Sequence, residues 1–592
     1  MRVSDFKFNI SRAALLLLAS VLSVNTPLFY ESADAQIASW VNANNGFYEG
    51  SQNWVPNVPE PSDTAVFGVP GIGHYQIGFL ADQMAGGLLV GNNVDISFAP
   101  GGGNPGAKIY QVSGDASVEA AMLELMGAFE LRTESMSIDE DGMLRIESGA
   151  SLLTAMTYDF GELSVVGTDL TGKPSIWNSD SAFITRGASL EILDGARASS
   201  NDVFVAISEF SEVTVAGNDA MGQSSKWSTG NLSSGLFDGG ARFEFGDGAT
   251  VTSETVFFRG NSVANISGAS ASGKRTTWDV ADEIYLEGEA NDVSALVIEN
   301  LGALTSSETT IVRSAGIIVS GTENPSSWDN SGNVFVGGTA NESVGVGSIS
   351  IWGDAEINIG GTVMIWPEGS VFLNGGRLIA DTILNTAGGD FTFQSGELQF
   401  KLFEGDLANT GGVLDPGGAD AEDTLIFGHY TQGQNGLLRV DIGGTEPGVN
   451  YDMVNVASTA FLGGALQITM PGGFTPNSED AFVVLAASSL IGSFDNVVNG
   501  QRIATTDGQG SMVVNYGPES AFDEDQIVLS SYVTGGVLLG DVNVDGLVNL
   551  LDVQPFVNLL NSGNFQAEAD TNEDGVVDLL DVDAFVALLG GE

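Results

Sequence analysis

Four tryptophans, Trp177, Trp227, Trp278 and Trp328, stand 50, 51 and 50 residues apart, and the first three each follow a glycine (Gly167, Gly217, Gly268) by ten residues. Gly-Ala pairs recur with similar spacing at Gly149-Ala150, Gly195-Ala196, Gly248-Ala249 and Gly302-Ala303. A period of this kind makes the middle of the chain a stack of one repeated unit, each burying its apolar face against its neighbours. Without the repeat, 592 residues would allow about four separate domains.

Within each unit, runs such as Leu190-Glu-Ile192, Phe243-Glu-Phe245, Ile349-Ser-Ile351 and Glu356-Ile-Asn-Ile359 alternate apolar and polar residues and are separated by Gly, Asn, Asp and Ser. Alternation with period two predicts short strands, and almost none of this region has a helical period. A stack of sandwiches would need about 90 to 100 residues per domain, whereas 50 residues suits two coils of about 25 each. At about 4.8 Å per coil, some 14 coils would make a rod on the order of 70 Å long. The expected fold class is mainly β: a right-handed parallel β-helix (solenoid) with a small all-α calcium-binding domain at the C-terminus.

At the N-terminus, Arg2, Lys7 and Arg12 precede the apolar run Ala13 to Val24 and the small-residue pattern Ala33-Asp34-Ala35, the order of a secretory signal peptide. That run is too short to span a bilayer, and no later run is long enough, so no membrane span is expected after signal removal. Asp and Glu number 76 against 19 Lys and Arg, a net charge of -57, which disfavours nucleic acid and anionic membranes and favours cations. There is no cysteine, so stability must come from packing, backbone ladders and bound ions. A secreted protein, extracellular or at the cell surface, is expected.

Ser39-Trp40, Asn53-Trp54-Val55-Pro56 and Asp63-Thr-Ala-Val-Phe67-Gly68 resemble the opening of bacterial surface proteins with autotransporter-like β-solenoids. Val413-Leu-Asp-Pro-Gly417, Leu437-Leu-Arg-Val-Asp-Ile442, Tyr451-Asp-Met-Val-Asn-Val456 and Leu462-Gly-Gly-Ala-Leu-Gln-Ile468 resemble the closing segment of such passengers. Both would cover a free end of the stack. The chain divides into a signal peptide (1–35), an N-terminal capping β region (36–119), solenoid repeats (120–401), a terminal autotransporter-like segment (402–533), a linker (534–539) and a tandem calcium-loop domain (540–592).

In that last domain, Asp541-Val-Asn-Val-Asp-Gly-Leu-Val-Asn-Leu-Leu-Asp552 recurs as Asp570-Thr-Asn-Glu-Asp-Gly-Val-Val-Asp-Leu-Leu-Asp581. Both fit the EF-hand calcium-loop template, with oxygen donors at positions 1, 3, 5, 9 and 12 and glycine (Gly546, Gly575) at position 6, where the chain must turn sharply. Loop one offers Asp541, Asn543, Asp545, the Leu547 carbonyl, Asn549 and Asp552. Loop two offers Asp570, Asn572, Asp574, the Val576 carbonyl, Asp578 and Asp581. Two calcium ions are expected, loop two binding more tightly because it has four carboxylates against three. Each loop leads into a helix with apolar residues at i, i+3, i+4 and i+7: Val553, Phe556, Val557, Leu560, and Val582, Phe585, Val586, Leu589.

This pair of loop-helix halves resembles a type I dockerin over Gly540 to Glu592. The resemblance implies aspartate at position 12 where the ordinary EF-hand has glutamate, calcium-dependent folding, and docking into a cohesin on a scaffold or cell surface. The partner-recognition pair at positions 10 and 11 is often Ser-Thr in the family. Here it is Leu550-Leu551 and Leu579-Leu580, so the partner is a cohesin-like or another cell-surface protein.

The body offers less chemistry. A polysaccharide lyase needs a basic residue to take a proton, and Lys274-Arg275 is the only adjacent basic pair after residue 35. A hydrolase needs two carboxylates about 5 to 10 Å apart, and runs such as Asp139-Glu140-Asp141 arise by chance in so acidic a chain. His74 and His429, the only histidines, lie in unrelated segments, which argues against a histidine triad. The periodic tryptophans read first as core and second as a sugar-stacking ladder. The leading reading is a structural or adhesive calcium-binding surface protein. Its rival is a carbohydrate-active enzyme or glycan-binding component of a polysaccharide-degrading system, with an extracellular glycan as partner.

Overall fold

The computed structural model describes residues 35–68, 74–101, 106–206, 209–235, 239–289, 292–321, 324–385, 388–418, 421–534, 539–543, 548–562, 564–572 and 574–589. The signal-peptide reading thus lies almost wholly outside the described residues. The fold is mainly β, a parallel β-solenoid of about 17 turns, with two short helices at the C-terminal end. The turns exceed the 14 expected because parallel pairing starts as early as Ile37–Trp40 against Thr64–Phe67, and because some later coils are short, as at Leu378, Leu398 and Leu414. Contacts divide the chain into two compact units, one built mainly from residues up to Ala281 and the other mainly from Asp282 onward.

In the first unit the 50-residue repeat is a pair of coils. Leu152 lies beside Trp177, Trp177 beside Ala198, Ala198 beside Trp227, Trp227 beside Val251 and Val251 beside Trp278, each in parallel register. Tryptophan therefore occupies one core position on every second coil, with a smaller residue between. Large and small side chains alternate along the stack, so each indole has room that two successive indoles would not. All four tryptophans are fully buried, as core residues rather than a surface ladder. Where the indole N–H has an acceptor it is a buried hydroxyl: Thr157 for Trp177 (3.2 Å), Ser253 for Trp278 (3.0 Å) and, in the second unit, Ser306 for Trp328 (2.9 Å).

The periodic glycines serve corners and loops. Gly149, Gly195 and Gly248 have φ of +84°, +87° and +79°, each following a non-glycine residue that is also left-handed. Their N–H groups donate to Ser175, Ser225 and Thr276 one coil on, so the corner is hydrogen-bonded to the next layer and not only turned. The tryptophan coils also carry a small loop closed by the bridges Thr168 to Pro174, Asn218 to Ser224 and Ala269 to Arg275. These loops lengthen every second coil, which is why the repeat is a pair of coils and not one.

The N-terminal stack is covered by aromatic rings. Trp54 pairs antiparallel with Trp40, and the two rings meet edge to face at 5.2 Å. In the second unit a core column runs through Leu304, Trp328, Ile357, Leu378, Leu398, Leu414, Leu438 and Leu466. It closes with antiparallel strands, Gln526–Thr534 pairing with both Ala481–Gly492 and Gly510–Asn515. An antiparallel turn-back uses the backbone groups of the last strand internally and leaves a smaller free edge.

A calcium-loop module with paired leucines

Beyond the solenoid, two helices, α1 (Val553–Ser562) and α2 (Asp581–Leu589), follow the two acidic loops. Phe556 and Phe585 stack face to face at 3.9 Å and 7° in a core completed by Val542, Ala569 and Val577. Val553, Leu560, Val582 and Leu589 pack against that core, as expected. Val557 and Val586 do not: they are 40% and 58% exposed. The buried stripe of the first helix is shifted from the sequence pattern: Leu559, on the flank away from Val557, and Phe565 beyond the helix pack against the core instead.

The loops repeat one hydrogen-bond scheme. Asp552 accepts N–H bonds from Asn543 (2.9 Å) and Asn549 (2.8 Å), and Asp581 accepts them from Asn572 (3.0 Å) and Asp578 (2.8 Å). Position 12 therefore ties positions 3 and 9 together in both loops. In loop two, Asp570 accepts from the N–H groups of Asp574 (3.1 Å) and Gly575 (2.9 Å), and Gly575 takes a φ of +85°. The glycine at position 6 lets the backbone turn its N–H groups onto the first aspartate. Asp545 and Leu547 of loop one lie outside the described residues; the other loop-one donors, Asp541, Asn543, Asn549 and Asp552, are placed around the same hydrogen-bonded frame.

Asp541, Asp552, Asp570 and Asp581 are buried, while Asn572, Asp574, Val576 and Asp578 lie at the surface side of loop two. Burial pushes the Asp570 carboxyl up; the N–H bonds from Gly575 and Asp574 oppose the shift, and the charges of Asp581 and Asp574 add to it. The region 540–592 holds eleven acidic residues and no basic one. Among the described residues no three His, Cys, Asp or Glu side chains form a ready metal cluster. A calcium loop does not need one, since it mixes carboxylate, amide, carbonyl and water oxygens, and crowded buried carboxylates in a stretch of sequence with no Lys or Arg fit a hard divalent cation.

Residues 539–587 match the family model of the dockerin type I domain. The C-terminal module is a dockerin. Type I dockerins are calcium-binding modules, and dockerins attach their proteins to cohesin partners, as in cellulosome-type systems. Proteins that contain them are typically extracellular or cell-surface components. No curated protein matches the chain. No helix among the described residues is long and apolar enough to cross a membrane. On this dockerin, Leu550 and Leu551 are 81% and 68% exposed, and Leu579 and Leu580 are 81% and 69% exposed.

In the body, the remaining candidates are held in structural contacts. The Lys274 ammonium donates to Ser224 (2.8 Å) and Thr250 (2.9 Å), and Asp139 accepts the Ala120 N–H. His74 is held in a contact of its own. Its Nδ1 meets Asp95 at 2.6 Å and its Nε2 meets Ser97 at 3.0 Å, the connectivity of a nucleophilic triad. Asp95 and Ser97 sit two apart on one strand face, and the coil brings His74 over them, a juxtaposition that spacing along the chain could not reveal. Ser97 is only 1% exposed beneath the imidazole, so its hydroxyl has no approach for a substrate carbonyl.

Proposed function

We propose that the chain is a secreted structural or adhesive β-solenoid, capped, repeating and closed in turn, held at the cell exterior by a dockerin loaded with two calcium ions. Asp541, Asn543, Asp545, the Leu547 carbonyl, Asn549 and Asp552 hold one ion. Asp570, Asn572, Asp574, the Val576 carbonyl, Asp578 and Asp581 hold the other. The observation that carries the reading is the matched exposure of the two leucine pairs. Single exposed leucines are ordinary, but two equivalent pairs held in water at the same loop positions are the surface of a partner site. Their equivalence suits a cohesin-like partner that presents an apolar patch and can engage either half.

The test is binding of the full chain to a panel of purified cohesin domains, with calcium and with chelator. Calcium-dependent binding to at least one, retained by Leu550→Asp or Leu579→Asp alone and lost in the double variant, supports the reading. Absence of binding to every cohesin in calcium, or binding indifferent to the double variant, overturns it. A second reading, a glycan-binding component of a polysaccharide-degrading system, is favoured by one groove in the second unit.

A further inference from the structure

In the second unit, the long strands Gly347–Ile365, Gly369–Leu384 and Asp390–Glu404 each bend at glycine. Gly353, Gly375, Gly376 and Gly396 have φ of +63°, +105°, +65° and +91°, and Gly411 and Gly412 continue the column. A Cβ on Gly353 would stand 1.7 Å from the Gly321 carbonyl oxygen, and one on Gly376 2.2 Å from that of Ala355. The corner is bare of side chains because the neighbouring backbone lies against it. What results is an open groove of about 470 Å³ lined by Asp354, Glu356, Arg377, Glu397 and Val413. It crosses four coils, three steps of about 4.8 Å, and so runs about 14 Å.

The groove wall carries four carboxylates, Asp354, Glu356, Glu397 and Asp415, against two guanidiniums, Arg377 and Arg439, with Glu397 and Asp415 tied into ion pairs. Arg377 donates to Glu397 (2.8 Å); Arg439 donates to Glu397 (2.5 Å) and with two nitrogens to Asp415 (3.0 and 2.9 Å). Gln399 adds a bond to Glu397 (2.7 Å). Planar donors and acceptors are therefore fixed in place, and the remaining net negative charge disfavours an anionic ligand. Two residues before Asp354 on the same strand, immediately before the first bend, Trp352 is 42% exposed with its ring 5.0 Å from that of Phe372. This tryptophan lies outside the buried column that absorbs Trp328 on the preceding coil.

We propose that this groove binds a neutral oligosaccharide. The apolar C–H face of a sugar ring lies on Trp352, ring hydroxyls accept from Arg377, and others donate to Asp354 and Glu356. An aromatic face beside fixed planar hydrogen-bonding groups in an elongated open cleft is matched to a flat, uncharged, hydroxyl-bearing chain. The inference sharpens the second reading into a site and is independent of the dockerin, so a failed cohesin screen and a failed sugar screen are separate results.

The test is isothermal titration calorimetry of the full chain with cellohexaose, xylohexaose, mannohexaose and chitohexaose, and with hexagalacturonate as the charged comparison. Saturable binding of at least one neutral hexasaccharide is expected, weakened at least about tenfold by Trp352→Ala, whose lost ring leaves no internal cavity. Asp354→Asn, at an exposed position, should weaken it at least about threefold, a lost charge-assisted hydrogen bond. Both variants should keep the wild-type circular dichroism spectrum. The proposal is overturned if none of the four neutral sugars binds, if Trp352→Ala binds as wild type does, or if hexagalacturonate binds more tightly than all four.

Discussion

Trp227 offers the most direct test of how the solenoid is held together. It is fully buried between Ala198 on one coil and Val251 on the next, with Phe245 edge-on at 6.4 Å. A buried indole removes about 150 to 250 Å² from water, which at about 25 cal/mol/Å² is about 4 to 6 kcal/mol. Trp227→Ala should therefore cost about 3 to 5 kcal/mol, toward the upper end because neighbours as small as Ala198 and Val251 cannot reach into the cavity. A phenylalanine comparison separates packing from hydrogen bonding. Trp177 donates its N–H to Thr157, whereas the Trp227 indole nitrogen is buried without an acceptor. Trp227→Phe sheds an unsatisfied donor and Trp177→Phe breaks a bond, so the first should be milder by about 1 to 3 kcal/mol. Urea unfolding followed by circular dichroism gives the ranking. Because coils open with their neighbours, amide exchange should rise most in Arg197–Val205 and Thr250–Ser253, the strands that flank Trp227. An unchanged midpoint for Trp227→Ala, combined with lost glycan binding, would refute the core assignment.

Three further outcomes are expected. Calorimetry with calcium should give two unequal binding events per chain, the tighter one abolished by Asp581→Ala; a single event, or two of equal affinity, would count against the loop ranking. Helix content should fall when calcium is chelated, since the acidic loops then repel one another. Burial raises the Asp159 carboxyl to about 8, against a partly compensating N–H bond from Gly161 and with added repulsion from Glu162. Its folded value lies above its unfolded one, so the folded state holds the extra proton between about pH 4 and pH 8, and stability falls as pH rises through that window. Asp159→Asn should flatten this slope, gaining more in melting temperature at pH 8 than at pH 5; an equal effect at both would refute it.

Much of this architecture was legible as period. The 50-residue recurrence of tryptophan required a stack, alternation required strands, and the tandem twelve-residue loops named the dockerin, because each pattern is a local rule repeated. The contact of His74 with Asp95 and Ser97 was not legible, for the opposite reason: the three meet only once a coil has closed. The groove belongs to the same class. Gly353, Gly375, Gly396 and Gly412 recur about every 20 residues, a signal that could have marked the corner, but Glu397, Asp415 and Arg439 meet through stacking.

Sequence by itself determined the repeat, the strands, the acidic character and the tandem twelve-residue loops, since these depend on residue type and spacing along the chain. Tertiary structure alone decided that the tryptophans alternate with Ala198 and Val251 inside the stack, and that Val557 and Val586 face out. It also decided that Trp352, one residue type with the others, is left exposed beside a glycine bend. Burial depends on which coil lies above and below, and that is set by register between chain segments some 20 to 30 residues apart, not by any residue's own preference.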